Sequence, residues 1–245
     1  MTFNEPLTDR TGDEPCYIVA TVKPWNLEAF HRHADTLPGD WVLIQSPDQL
    51  TKEALDALSP KMLFFPHWSW RVPNEILSSY ECVCFHMADV PYGRGGSPLQ
   101  NLILRGHEQT QLSALRMVEK LDAGPVYCKD PLSLDGSAQE IYEALSELVY
   151  RQIRRLISEN IEPQDQVGDI FEFTRRQPAQ SELPCGVELT ALYDHIRMLD
   201  AETYPKAFIE LGDWRLEFSD AKLLDGEVGA TVVFKQQKTK EQNNE

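Results

Sequence analysis

Short runs that are apolar almost throughout recur along the first 150 residues of this chain, separated by segments of helical periodicity. The four clearest runs are CYIVATV (16–22), DWVLIQ (40–45), MLFFP (62–66) and CVCFH (82–86). A continuous apolar run favours a strand that is buried on both faces, because a strand with one wet face alternates apolar and polar residues. Helices between such strands provide the cover. We therefore predict an α/β domain built on a mostly parallel sheet.

Capping residues mark where several of the intervening helices begin. A serine before a proline can cap a helix without wasting a backbone donor, and Ser137 with Glu140 forms a capping box. Residues 112–115 and 125–134 are predicted to be two further strands joined by a helix that ends near Leu121. The predicted helices are 25–37, one capped by Ser46, about 73–79, one from Ser97 to Gly106, and a long one from Ser137.

The sequence becomes polar and aperiodic after about residue 160. A helix at 187–199 and two alternating strands then predict a small C-terminal region with a β-hairpin. The predicted divisions are a flexible N-terminus (1–14), the α/β domain (15–160), a linker (161–186), the small α+β region (187–234) and a disordered tail (235–245).

Composition restricts the classes of partner. The formal net charge is −16, which repels a phosphate backbone and argues against nucleic acid as a partner. No apolar run reaches the roughly 20 residues of a membrane span, and the N-terminus lacks the pattern of a signal peptide. Five cysteines without a CxxC pair are typical of reduced thiols. We expect a cytoplasmic protein that does not bind a membrane.

A histidine and an aspartate, 36 positions apart, are the candidate catalytic pair. His86 ends an apolar strand, and ligands of open parallel sheets bind beyond the carboxyl ends of the strands. Asp122 lies in LDAG and could orient that imidazole as a base for acyl transfer to an amine. The alternatives are ordinary ones: a hydrogen-bonded histidine at a strand end and a solvated aspartate in a turn before glycine.

Cys82, Cys84 and His86 alternate along one strand and therefore share a face. Thiolate and imidazole are good zinc ligands. Residues two apart on a strand are nevertheless about 7 Å apart, so three such side chains in a row converge poorly on one ion. We predict no metal, and we interpret these cysteines as buried apolar residues.

The sequence surrounding this strand matches a known family. The chain resembles the 10-formyltetrahydrofolate-dependent formyltransferases, whose motif has Asn, one residue and His before a loop close to PSLLPKYRG. The run CFHMADVPYGRGGSP keeps this register at His86, Pro91, Arg94, Gly95 and Pro98. The family's aspartate lies in LDAG, reproduced at 121–124. The similarity covers about residues 60–135, with a weaker match at YPKAF (204–208).

The resemblance implies a Rossmann-like core and the use of 10-formyltetrahydrofolate as the formyl donor. It also implies roles for individual residues. His86 would be the general base and Asp122 its orienting partner. The residues expected to contact the folate are His67, Trp68, Ser69, Trp70, Leu121, Ala123 and Gly124. The residues expected to contact the acceptor are Tyr92, Arg94, Gly95, Gly96, Arg175 and Arg176. The aromatic residues and arginines also have ordinary alternatives, as core cover and as solvated charge.

One catalytic position departs from the family. Cys84 stands where the family has an asparagine that donates a hydrogen bond to the developing oxyanion, and a thiol is a weaker donor. His86, a backbone amide or an ordered water would then take a larger share of that role. The sequence leaves these three open.

The acidic charge and the short C-terminal region favour a nucleotide-linked amino sugar over tRNA as acceptor. The expected activity is therefore that of a sugar N-formyltransferase acting as a homodimer. Two alternatives use the same fold: a folate or nucleotide-sugar binding module without turnover, and a formyltetrahydrofolate hydrolase.

Overall fold

The computed structural model describes residues 14–236. Most of the predicted flexible N-terminus and the tail from 237 onward lie outside these residues. The strands are β1 (Cys16–Ala20), β2 (Asp40–Ile44), β3 (Met62–Pro66), β4 (Cys82–His86), β5 (Tyr92–Gly95), β6 (Gln109–Arg116), β7 (Val126–Ser133), β8 (Phe171–Phe173), β9 (Ala207–Leu211), β10 (Trp214–Leu224) and β11 (Glu227–Gln236). The α-helices are α1 (Pro24–His33), α2 (Lys52–Leu58), α3 (Asn74–Ser79), α4 (Pro98–Ile103), α5 (Ala138–Ser158) and α6 (Leu189–Arg197).

A six-stranded sheet of order β2-β1-β3-β4-β6-β7 forms the centre of the α/β fold. The pairings of β1 with β2 and β3, and of β3 with β4, are parallel, whereas β6 runs antiparallel to β4. All five residues of β1 and of β3 are buried, as their continuous apolar sequences require. The predicted mostly parallel sheet is confirmed.

Two local predictions were wrong. Residues 117–125 form turns rather than a helix, because Gly124 is pressed against the backbone of Arg116 and fixes a tight return. Ser97 precedes α4 but has a left-handed backbone (φ 54°), and its side chain makes no capping bond to the helix. Its Oγ instead accepts from the backbone N–H of Arg176 at 3.1 Å.

The chain divides into two units. The first comprises residues up to Gly95, Thr110–Leu132 and Glu143–Glu172, and the second comprises Gly96–Gln109, Ser133–Tyr142 and the chain from Phe173 onward. The second unit contains a three-stranded antiparallel sheet of order β11-β10-β9, one strand more than the predicted hairpin. The additional strand follows Asp225–Gly226, a two-residue sequence typical of tight hairpin turns. Within residues 14–236, no helix combines the length and apolar character needed to cross a bilayer.

Candidate active site

His86 is the last residue of β4 and lies at the carboxyl end of the parallel strands. Its side chain is 8% exposed. Alternation along β4 places Cys84 and Cys82 on the same face as His86, as predicted. The imidazole therefore reaches the edge of the sheet where ligands bind in open α/β folds.

Asp122 meets His86 from the turn between β6 and β7. Its Oδ2 lies 3.5 Å from His86 Nδ1 and accepts a hydrogen bond from the backbone N–H of Gly95 at 2.9 Å. The aspartate adopts a left-handed backbone (φ 52°), a conformation that Asp tolerates better than most residues. Its carboxylate is 9% exposed. The structure thus brings together an imidazole and a carboxylate that are 36 positions apart in the sequence.

The second ring nitrogen of His86 also has a partner. Nε2 lies 2.7 Å from the carbonyl oxygen of Gly93, which can only accept a hydrogen bond. Nε2 therefore carries the proton, and in the neutral imidazole Nδ1 is the nitrogen with the free lone pair. A proton gained at Nδ1 in catalysis would lie beside the Asp122 carboxylate, whose Oδ2 is 3.5 Å away, while Nε2–H donates to the Gly93 carbonyl.

Gly124 fixes the position of the turn that carries Asp122. A β-carbon at Gly124 would lie 1.8 Å from the carbonyl oxygen of Arg116, a distance that no side chain could tolerate. The close approach is accompanied by a backbone hydrogen bond from Arg116 N–H to Pro125 O at 2.9 Å. The glycine of LDAG is therefore required for packing against β6.

Cys84, which the resemblance predicts to replace the family's asparagine, is half-buried. Burial raises the pKa of its thiol, as does the nearby charge of Asp122, so the sulfur stays protonated near neutral pH. Burial likewise raises the pKa of the Cys82 thiol to about 12. Cys84 can therefore offer an S–H donor, and its environment favours the thiol over a nucleophilic thiolate.

The aromatic segment predicted to contact the folate follows β3. The ring of His67 lies 5.4 Å from that of Trp25, and burial lowers the pKa of His67 to about 3, so its imidazole is neutral. Trp68 packs on Phe65, with ring centroids 6.2 Å apart. Trp70 is 46% exposed and meets Trp68 edge to face. This segment both covers the core, through Trp68, and presents an aromatic ring to solvent.

Glu119 and the residues it contacts flank the two segments predicted to contact the folate. It lies three residues before Asp122, and its Oε1 accepts from Asn74 Nδ2 at 3.2 Å, just beyond the aromatic segment. Arg71 approaches the same oxygen at 3.8 Å. These contacts are exposed and individually weak, but they place the two segments side by side. Ser69 and Leu121 are exposed, whereas Ala123 is half-buried.

Of the residues predicted to contact the acceptor, Arg94 has the most unusual surroundings. It is 7% exposed, and its Nε and one Nη donate to Oε1 of Gln166 at 3.0 and 2.8 Å. Within residues 14–236 it forms no ion pair with a carboxylate. The acceptor for this buried guanidinium is therefore the uncharged amide oxygen of Gln166. Tyr92 stacks on Phe171 with centroids 5.2 Å apart.

The remaining predicted acceptor residues lie in the second unit. A β-carbon at Gly96 would lie 2.5 Å from Cβ of Arg175, so this glycine permits a close approach of two backbones. Arg175 is exposed. The guanidinium of Arg176 donates to the carbonyl oxygen of Gln180, and burial lowers its pKa.

A cavity of about 1020 Å³ lies within the second unit and contains none of the predicted site residues. It is lined by charged residues of both signs, among them Arg197, Asp200, Lys206 and Glu217. Among the described residues, no group of three or more His, Cys, Asp or Glu side chains is placed to hold a metal ion.

Two site contacts were not foreseen from the sequence. Gln166 lies in the polar segment 161–172, whose lack of periodicity gives no signal of a role. The Gly93 carbonyl is a backbone group, and no side-chain pattern reports it. Only the fold brings either one to the catalytic pair.

Comparisons with known proteins agree on one family. Residues 178–235 match the family model described as Methionyl-tRNA formyltransferase, C-terminal domain. The methionyl-tRNA formyltransferase of Bacillus thuringiensis (strain Al Hakam) is 30% identical over 171 residues, which cover 65% of this chain and 53% of the relative. The match thus spans about half the length of such curated relatives.

Solved structures extend the similarity along most of the chain. A sugar N-formyltransferase from Shewanella sp FDAARGOS_354 has a TM-score of 0.64 at 15% identity, over 85% of this chain and 98% of that one, which shows a shared fold. The methionyl-tRNA formyltransferase from Clostridium thermocellum is 40% identical with a TM-score of 0.86, over 91% of this chain and 99% of that one. With this identity along nearly the whole relative, and with the His86 and LDAG motifs in contact, the chain belongs to the formyltransferase family.

Proposed function

We propose that this protein transfers a formyl group from 10-formyltetrahydrofolate to a primary amine. The observation that carries the proposal is the position of Asp122 Oδ2, between His86 Nδ1 and the backbone N–H of Gly95. In a member of this family, that arrangement supplies a base and a carboxylate that stabilises its protonated form.

In the proposed mechanism, the uncharged amine attacks the formyl carbon and forms a tetrahedral intermediate. His86 accepts the amine proton at Nδ1, a role that typically contributes about 10² to 10⁴ in rate. The imidazolium is stabilised by Asp122 and by the Gly93 carbonyl. The bond from carbon to N10 of the folate then breaks, and the proton passes to N10, which leaves as tetrahydrofolate.

The oxyanion of the intermediate needs a hydrogen-bond donor. Cys84 occupies the family's donor position and remains a thiol, because burial raises its pKa. An S–H group is a weak donor. Charge on the oxyanion is therefore stabilised mainly by His86, a backbone amide or an ordered water.

The folate is proposed to lie against the aromatic segment 67–70 and the turn 121–124. Exposed Trp70 supports a stacking role, and the contacts of Glu119 support a common surface for the two segments. No metal takes part in this mechanism.

For the acceptor we propose a nucleotide-linked amino deoxysugar. A chain with a net charge of −16 repels a long polyanion, whereas a diphosphate can be held by a few arginines. The unpaired Nη of Arg94 is the first candidate, because a buried guanidinium without a carboxylate partner favours an anion. Tyr92 and Gly95 in the first unit, and Gly96, Arg175 and Arg176 in the second, are each proposed as acceptor contacts.

A second candidate acceptor is methionyl-tRNA. The match of residues 178–235 to the C-terminal domain of the tRNA enzymes favours it, as do the names of the relatives at 30% and 40% identity. The net charge of −16 disfavours this acceptor, because an acidic chain repels the phosphate backbone of tRNA.

Both acceptors can be tested in one assay. Purified protein is incubated with 10-formyltetrahydrofolate and a panel of nucleotide-linked amino sugars, with methionyl-tRNA, and without acceptor, and products are identified by mass. We expect a gain of one formyl group on an amino sugar. Formylated methionyl-tRNA alone would replace the sugar proposal with the second candidate. Formate released without acceptor would indicate a hydrolase, and folate binding without any product would indicate a binding module.

A homodimer is proposed for the assembly. The strand register places Leu211, Trp214, Val232 and Phe234 on one face of the second unit's sheet, at 60, 46, 37 and 61% exposure. Exposed apolar surface of this kind is typical of an interface. Light scattering should give twice the 28.0 kDa mass of the chain, and Phe234→Glu should reduce it to one chain.

A further inference from the structure

We infer that Gln166 is a positioning residue that holds Asp122 in its catalytic place, an inference that rests on the proposed formyl transfer. Gln166 is half-buried in the segment between α5 and β8 and contacts neither ring nitrogen of His86. Its carboxamide joins the turn that carries Asp122 to the strand that carries Arg94 and Gly95.

The amide nitrogen of Gln166 holds the backbone of the turn. Nε2 donates to the carbonyl oxygen of Asp122 at 2.8 Å and to that of Gly124 at 2.7 Å. A primary amide has two N–H groups, and here each has a carbonyl acceptor. Both oxygens belong to the LDAG turn, so one side chain fixes the residues on either side of Ala123.

The turn needs this external support. Within it, a backbone hydrogen bond runs from Ala123 N–H to Lys120 O at 3.2 Å, the long end of the usual range. Asp122 has a left-handed backbone, and Gly124 is pressed against Arg116. Without Gln166 two carbonyl groups lose their donors, and leaving a buried or half-buried acceptor unsatisfied is costly.

The amide oxygen of Gln166 binds the strand that carries Arg94 and Gly95. Oε1 accepts from Nε and one Nη of Arg94, the residue before Gly95. The backbone N–H of Gly95 holds the Asp122 carboxylate. Gln166 therefore restrains the main chain of Asp122. It also restrains the strand whose Gly95 N–H donates to the Asp122 carboxylate.

Attachment of the linker itself does not depend on this side chain. The backbone of Gln164 exchanges hydrogen bonds with Val126 at 2.7 and 2.8 Å. The side chain of Gln164 is exposed and donates only to the neighbouring Glu162 O at 3.2 Å. A substitution at 166 therefore alters the site without detaching the segment, and Gln164→Ala provides a matched control.

Two variants separate the functions of the carboxamide. Gln166→Ala removes both the N–H donors and the oxygen acceptor of the carboxamide. Gln166→Glu keeps an acceptor for Arg94 and loses the donor to the Asp122 and Gly124 carbonyls. We expect both variants to lower kcat by about 10- to 10²-fold, the cost of a small misplacement of catalytic groups, with KM for the folate within about 3-fold. Gln164→Ala should retain wild-type kinetics. A Gln166→Glu variant with wild-type kcat would overturn the inference.

A double-mutant cycle with Asp122→Asn distinguishes positioning from general support of the fold. If Gln166 acts through Asp122, Gln166→Ala should slow the Asp122→Asn enzyme by less than about 2-fold. A slowing as large as in the wild-type background would contradict the inference.

An NMR measurement of the His86 ring nitrogens tests the same point without turnover. The Nδ1 signal should move in Gln166→Ala and Gln166→Glu toward its position in Asp122→Asn, and should not move in Gln164→Ala. An Nδ1 signal unchanged in both Gln166 variants would overturn the inference. If the signals move as expected but wild-type protein formylates no amine, the proposed function fails and the positioning role of Gln166 stands.

Discussion

Replacing Gly124 with alanine tests whether the position of the LDAG turn controls catalysis. The added β-carbon would lie 1.8 Å from the Arg116 carbonyl oxygen, whereas ordinary contact begins at 3.4 Å. The turn must therefore retreat from β6 by about 1.6 Å, or β6 must yield. Since the nearest atom belongs to a backbone within the sheet, we expect the turn to move, and Asp122 with it.

The structure sets the size of the expected effect. A misplacement of about 1 Å can cost on the order of 10² in rate, so Gly124→Ala should lower kcat for formyl transfer by at least that factor. Overpacking of this kind costs roughly 1–3 kcal/mol, which for a chain of this length lowers Tm by a few degrees to about 10 °C. The protein should therefore remain folded at 25 °C while it loses activity.

The assay compares this variant with a glycine in open space. Gly229 has no atom within 4 Å of its β-carbon position, so Gly229→Ala should match wild type in both kcat and Tm. Formyl transfer is followed by product mass and unfolding by circular dichroism. A Gly124→Ala enzyme with kcat within a few-fold of wild type would refute the reasoning that links turn position to catalysis.

Three further predictions concern His86 and the cysteines. His86→Asn should lower kcat by about 10² to 10⁴, while the exposed His31→Asn should have no effect; activity within a few-fold of wild type would exclude His86 as base. Cys84→Asn should raise kcat by about 10-fold or more, because an amide is the stronger donor to an oxyanion; a loss would show a site adapted to sulfur. Burial raises the pKa of Cys84, so it stays protonated and unreactive at pH 8, and iodoacetamide should label exposed Cys185 first; early labelling of Cys84, found by peptide mass, would contradict its burial.

The parallel core could be predicted from the sequence because two of its strands, β1 and β3, are buried along their whole length. Strands β1 to β4 begin at the predicted residues and end within two residues of the predicted ends. Continuous apolar runs carry this information locally, since most residues of such a strand are buried between helices. Strand β2 is less buried because it lies at the edge of the sheet. The proximity of His86 and Asp122 was expected for a different reason, namely the resemblance of two short motifs.

Other features depend on contacts between distant parts of the chain. Residues 117–121 contain good helix formers, yet the contact of Gly124 with Arg116 imposes a turn, so tertiary packing overrides local propensity. Strand β11 differs from these features, because Asp225–Gly226 immediately before it is a local signal of a hairpin turn. Gln166 carried none, because a glutamine in a polar segment has the same sequence signature whether it is solvated or bonded to a catalytic turn.

The central claim is that His86 and Asp122 act as one unit in formyl transfer, and a double-mutant cycle between them tests it most directly. Rates of product formation are measured for wild type, His86→Asn, Asp122→Asn and the double variant at saturating folate. Because the carboxylate acts through the imidazole, the double variant should be about as slow as His86→Asn alone. Rate losses that multiply in the double variant would contradict the claim, since they would show that the two side chains contribute independently.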